Sequence, residues 1–175
     1  MEKGIILYQS KYGSTKKYAE WLSKATGYIC VETSKTKVKD ILEYDVIVLG
    51  GGVYASGIAG INFLKKNIQA LSGKKIAVFA VGASPYNEKA ISQVRERHFV
   101  NGLETIPLFY CRGAWDEEKM TFAHRTLCKM LQKAVAKKNT AEYEPWESAL
   151  MGAKGQRCDW TEQSYLDPIL NYLQN

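Results

Sequence analysis

Apolar positions along this chain come in two kinds of run, and the two alternate. Residues 4–9 (GIILYQ), 28–33 (YICVET), 45–50 (DVIVLG), 75–81 (KIAVFAV) and 105–111 (TIPLFYC) are short, nearly continuous apolar or β-branched stretches. Such runs are what strands buried on both faces look like. Pro107 marks the fifth as an edge strand or one with an irregular start. Between them the apolar residues recur at helical spacing. Residues 14–26 carry Tyr18, Trp21, Leu22 and Ala25, with Ser14 as the expected N-cap and Gly27 as the stop. Residues 58–71 carry Ile58, Ile61, Phe63, Leu64, Ile68 and Leu71, and residues 87–98 read as a helix opening after Pro85.

Strand–helix alternation of this kind predicts an α/β fold: a doubly wound, five-stranded parallel sheet with helices on both faces, in the order 2-1-3-4-5. The last third is less regular. Residues 117–138 predict a long helix with Met120, Ala123, Leu127, Met130, Leu131 and Ala134 on one face. Residues 139–158 have no clear period. Asp159, with Glu162 three residues on, has the pattern of a capping box opening a final helix. Leu166, Ile169, Leu170 and Leu173 would pack that helix on the sheet, and Pro168 sits awkwardly inside it.

The chain has 175 residues, 46% of them hydrophobic, enough for one core, so residues 1–175 read as a single domain with a helical insertion at about 113–158. No apolar run approaches the 18 residues or so of a membrane span, and the first residues run straight into a strand. The expectation is an intracellular, cytoplasmic protein. Cys30, Cys111, Cys128 and Cys158 are widely spaced and form no CxxC pair, which reads as reduced thiols rather than a metal site. His98 and His124 are isolated. The net charge of +6 leaves an anionic ligand, an anionic membrane and nucleic acid open. Nucleic acid recedes because no recognised module is present.

A parallel sheet brings the loops after strands one, three and four to the same end. They are Ser10-Lys11-Tyr12-Gly13-Ser14-Thr15, then residues 50–57 (GGGVYASG), then residues 82–87 (GASPYN). The first leads into a helix N-terminus, where free N–H groups and the helix dipole favour an anion. Ser10, Ser14 and Thr15 add hydroxyls, Gly13 allows close backbone approach, and Lys16 and Lys17 add positive field. Neither GxxxxGK[ST] nor GxGxxG is present after the first strand. A helix cap alone would need only Ser14. The other two loops combine glycines with a tyrosine, Tyr54 or Tyr86, that offers a face to a flat ring, and Trp115 is a third aromatic nearby.

Ser10-Lys11-Tyr12-Gly13-Ser14-Thr15 resembles the FMN phosphate loop of flavodoxins, [ST]-x-[TY]-G-x-T, matching at Ser10, Tyr12, Gly13 and Thr15. The loops at 50–57 and 82–87 fall where that family places its two isoalloxazine-binding loops. The resemblance implies FMN as cofactor, with Ser10, Lys11, Tyr12, Gly13, Ser14 and Thr15 around the phosphate. It places Gly51, Gly52, Val53 and Tyr54 on one side of the ring and Ser84 and Tyr86 on the other.

Two departures shape the functional expectation. Electron-carrying flavodoxins are typically acidic, whereas the loops at 50–57 and 82–87 hold no carboxylate and the chain is basic. A basic setting favours a two-electron-reduced, anionic flavin by simple electrostatics. Secondly, the extra segment follows strand five and precedes an Asp159-Trp160 opening. In this it resembles the flavodoxin-domain group that includes menaquinone-dependent protoporphyrinogen IX dehydrogenase. That resemblance implies an FMN-dependent oxidoreductase passing electrons from an organic donor to a quinone or other acceptor. The alternative is a flavodoxin-type electron-transfer protein with no substrate of its own. The implied partners are a small-molecule donor and acceptor, with a redox partner protein and peripheral membrane contact both open. The flavin can do this chemistry without a side-chain acid or base, so the sequence names no catalytic residue. Arg112 and Trp115, just past strand five, either meet a substrate at the mouth or simply end the strand and begin the insertion.

The insertion has its own pattern. Between residues 119 and 138 it carries six Lys or Arg and no acid, and Lys129, Lys133 and Lys137 share a face by i, i+4 spacing. The plainest expectation is a helix packed on the core by its Leu and Met face with lysines in water. The competing ones are a membrane-surface or quinone-access element and a clamp for an anionic substrate such as a porphyrin carboxylate.

Overall fold

The computed structural model describes residues 2–54 and 57–175. The chain runs β1 (Gly4–Gln9), α1 (Ser14–Thr26), β2 (Ile29–Glu32), β3 (Val46–Tyr54), β4 (Gly57–Ile58), α2 (Ile61–Asn67), β5 (Lys75–Gly82), α3 (Glu88–His98) and β6 (Leu108–Arg112). The insertion follows as β7 (Ala114–Asp116), α4 (Phe122–Val135), α5 (Pro145–Gly152) and β8 (Arg157–Asp159), and α6 (Asp167–Gln174) closes the chain. The five long strands are parallel and lie in the order β2-β1-β3-β5-β6, the doubly wound order that the alternation predicts. β4 is a short antiparallel addition beside the end of β3.

Strand alternation builds two cores. Ile5, Leu7, Ile47, Leu49, Ile76 and Val78 point to one face, where Ile61 and Leu64 of α2 and Val94 of α3 meet them. Ile6, Val46, Val48, Phe79 and Val81 point to the other, against Tyr18, Ala19 and Leu22 of α1 and Ile169 and Leu173 of α6. Removing a side chain of this size from water contributes about 1.5–3 kcal/mol, so these two layers are the main store of stability. β6 is an edge strand that begins only after Pro107, as the proline requires.

Several expectations are corrected. β3 does not stop at residue 50 but runs through Gly50, Gly51 and Gly52 to Tyr54, with Gly51 and Gly52 hydrogen-bonded beside Ala80 and Val81. The first helix is capped by Gly13, with φ 103°, so that Ser14 is its first residue and not its cap. The 58–71 helix is shorter, Ile61–Asn67, with a 3-10 turn to Leu71. The final helix does not start at Asp159. That residue pairs with Ala114 in the antiparallel β7–β8 ribbon, and its carboxylate accepts from the Thr161 amide and hydroxyl. α6 begins at Asp167, which puts Pro168 in the first turn, where a proline costs no hydrogen bond. The unpatterned 139–158 stretch holds α5 and β8. α5 opens with Pro145 and with Glu144 and Glu147 bonded reciprocally as a capping box.

Candidate functional site

The phosphate-type loop stands at the carboxyl end of β1, where α1 begins. α1 has no capping side chain and no acidic residue in its first turn. Its first amides are therefore open to an anion. A left-handed Gly13 makes the turn, its amide donates to Ser10 Oγ at 3.1 Å, and Thr15 is buried beneath it. Ser14 lies beside Gly113, where an added Cβ would come within 3.4 Å of it. Gly113 in turn donates its amide to Gly82 O at 2.8 Å. The loop at 10–15 and the loop at 82–87 are thus joined across Gly113. Of the two lysines expected to add field, Lys17 is held by Asp159 at 3.0 Å and by Thr161 Oγ1 at 2.7 Å. Lys16 reaches forward one turn to Glu20. The Lys11 ammonium lies 5.7 Å from the centre of the Tyr12 ring.

Tyr12 and Tyr54 come together, their rings edge to face with centroids 6.3 Å apart. His124, from the insertion, completes this group: its ring lies 5.9 Å from each tyrosine ring. Lys11 Nζ reaches His124 Nε2 at 3.4 Å, and Tyr12 Oη lies 2.6 Å from Nδ1. An ammonium only donates, so the Lys11 contact is made with Nε2 as the acceptor. Burial raises the Tyr54 phenol above its ordinary value and keeps it protonated. Nothing in the local pattern announces His124, because the contact spans 112 residues.

Gly51 and Gly52 also meet close neighbours within the sheet domain. A Cβ on Gly51 would sit 2.1 Å from Ala59 O, and one on Gly52 would sit 2.8 Å from the Tyr54 ring. The first glycine lets the turn beyond β4 fold back on β3, and the second receives the Tyr54 side chain. Ala55 and Ser56 of the same expected loop lie outside the described residues.

Val53 and Ser84 stand elsewhere, on the wall of a cavity of about 560 Å³. Tyr110, Trp115, Trp146 and Trp160 line it too, together with Leu131 of α4 and Ala149 and Leu150 of α5. One wall thus comes from the sheet domain and the other from the insertion. Tyr110 donates its hydroxyl to Ser84 O, which fixes the third loop, and burial holds that phenol well above its ordinary value. Tyr86 is 61% exposed, its ring 6.1 Å from that of Tyr110. Arg112 does not point into open space: its Nε donates to Ala83 O at 3.1 Å and its guanidinium stacks 4.1 Å over Trp160. It ties the strand end to the insertion. The Trp115 Nε1–H is buried without a hydrogen-bond partner among the described residues. All four cysteines are free thiols, and burial pushes Cys111 up to about 12. No group of His, Cys, Asp and Glu suited to a metal ion occurs among the described residues.

The residues present fit the phosphate and ribityl end of FMN: an uncapped helix start, a left-handed glycine and three hydroxyls, with no carboxylate in the loop. Comparison with known proteins agrees with the fold. The sequence model of the family described as "Flavodoxin domain" matches residues 5–142. Among solved structures, the Trp repressor binding protein from Bacillus subtilis is 17% identical with a TM-score of 0.50, over 63% of this chain and 85% of that one. A candidate flavoprotein from Bacteroides eggerthii is 16% identical with a TM-score of 0.50, over 79% of this chain and 100% of the other. At these identities the likeness concerns the fold. No curated protein matches the sequence.

Proposed function

This chain belongs to the flavodoxin-domain family, and on that premise we propose that it is an FMN-dependent oxidoreductase with a substrate of its own. In this reading Ser10, Ser14, Thr15 and the first amides of α1 hold the phosphate. Gly13 gives it room, and Lys11 adds a positive charge at the rim. Val53, Ser84 and Tyr86 stand toward the ring, with Tyr12 and Tyr54 closing the opposite side under His124. Bound FMN supplies the electron transfer, so the side chains need only orient the partners and exclude water.

The observation that carries the reading is the cavity between the third loop and the insertion. A protein that only relays electrons needs little more than an exposed flavin edge, whereas this cavity has the size of a small-molecule site. Its wall is apolar and aromatic apart from Lys89, Glu144 and a few amide or hydroxyl groups. That lining suits a flat, largely uncharged ring such as a quinone. A protoporphyrinogen-dehydrogenase-like role, with an organic donor and a quinone or other acceptor, is the activity we propose.

Two experiments test this. Ser14→Asp places a negative charge at the start of α1, which should stabilise the helix by about 0.3–1 kcal/mol. If the loop holds a phosphate, the same change abolishes FMN retention while the protein melts no lower; undiminished FMN binding would refute the assignment. Separately, photoreduced protein mixed anaerobically with menadione should be reoxidised in a saturable manner, and Ala149→Trp, which fills the cavity, should raise the menadione concentration required. Reoxidation indifferent to Ala149→Trp would favour a carrier.

A further inference from the structure

We propose that the outward face of α4 docks on an anionic phospholipid surface. The starting observation is an inversion. The side chains that α4 buries are Gln132 and Val135, with Cys128 half-buried beside them. Gln132 donates to Glu117 Oε1 at 2.8 Å, and Arg125 donates to the carbonyls of Glu117, Glu118 and Met120. The inward side of this helix is therefore largely polar. Its apolar stripe of Ala123, Leu127, Met130, Leu131 and Ala134, spaced three and four residues apart, faces water. Leu127 is 51%, Met130 63% and Leu131 38% exposed, and Phe122 at the helix start is 86% exposed. Leu127, Met130 and Leu131 are not scattered surface residues but share one side of one helix.

The charge beside the stripe selects the occupant. Lys129, Lys133 and Lys137 run along the adjoining edge; all are exposed and none forms an ion pair with a described residue. Bulky apolar residues on one side and lysines along the border are the composition of a helix that lies in the headgroup plane of an anionic bilayer. A second copy of this chain fits less well, since an antiparallel two-fold contact through α4 would bring two lysine rows together. No described helix is long and apolar enough to cross a membrane, so the contact is peripheral. Leu131 and the exposed Trp146 of α5 also line the cavity, so the docked face and the cavity rim are continuous. The lipid contact itself does not depend on the flavin reading.

The test is co-sedimentation of the full chain with phosphatidylcholine vesicles, with and without phosphatidylglycerol. Binding is expected with phosphatidylglycerol and not without it. The double change Leu127→Glu with Met130→Glu should lower binding by at least about tenfold. Lys129→Glu and Lys133→Glu should each cost about fivefold at low salt and flatten the salt dependence. These positions are exposed, so the thermal melts should match wild type. Three results would overturn the proposal: no binding to either vesicle, binding indifferent to both sets of changes, or a dimer in solution that Leu127→Glu dissociates. FMN retention measured in the same samples separates this outcome from that of the flavin assignment.

Discussion

α1 and α4 are built from the same kind of sequence and end in opposite surroundings. Each carries an apolar stripe at helical spacing and lysines outside that stripe. In α1 the stripe, Tyr18, Ala19 and Leu22, is fully buried against the sheet. In α4 the stripe faces water and the polar Gln132 is buried. Amphipathic spacing states which face of a helix needs apolar surroundings. It does not state whether the chain's own core supplies them. α1 follows β1 directly and is laid on the sheet by the crossover. α4 stands beyond the last sheet strand, where α6 already covers that face.

The sharpest way to break this comparison is to shorten a leucine in each stripe. Leu22→Ala should cost about 2–5 kcal/mol, because it opens a cavity in a closed core. Leu127→Ala should stay within about 0.5 kcal/mol. Urea denaturation of the two variants decides it, and equal losses would mean that α4 is core-packed after all. Gly51→Ala comes next. A methyl group there meets the Ala59 carbonyl, which is backbone and cannot swing aside, so a loss of about 1–3 kcal/mol is expected. That loss would confirm that the glycines of β3 serve packing within the sheet domain.

A smaller effect separates the insertion from the sheet by pH. Lys138 bonds the Glu147 carboxylate and, with the Glu144 amide, holds it below the ordinary glutamate range. A carboxylate lowered on folding contributes stability above its unfolded pKa of about 4.3 and loses it as the pH falls through the folded value. Trp146 lies one residue away from Glu147, so tryptophan fluorescence should report loosening of the insertion below about pH 4 while far-UV circular dichroism of the sheet persists. Glu147→Gln should remove that acid step. The smallest effect expected is that of Lys17→Ala. It breaks a solvent-exposed pair with Asp159 and should cost no more than about 1 kcal/mol.

The same contrast explains what the sequence made legible. The runs at 4–9 and 75–81 and the helix at 14–26 are read almost residue for residue, because burial on both faces leaves a continuous apolar run and a single helical period. The phosphate-type loop was readable since its residues are consecutive. Gly51 and Gly52 read as loop in the sequence because glycine signals a turn and close packing alike, and the Ala59 and Tyr54 contacts tell the two apart. In the insertion Pro145 with Glu144 and Glu147 is a local signature of α5, but no apolar period accompanies it. The pairing of β8 with β7 and the seat of His124 on Tyr12 had no local signal, because both join segments more than 40 residues apart.

The central claim is that this fold carries FMN at the loop around Gly13 and uses it on a substrate of its own. The most direct measurement is the visible spectrum of the purified full chain, with added FMN, through an anaerobic reductive titration followed by menadione. The account predicts a yellow protein that is bleached in a single two-electron step and recovers its colour on adding menadione. A colourless chain with no affinity for FMN would contradict it.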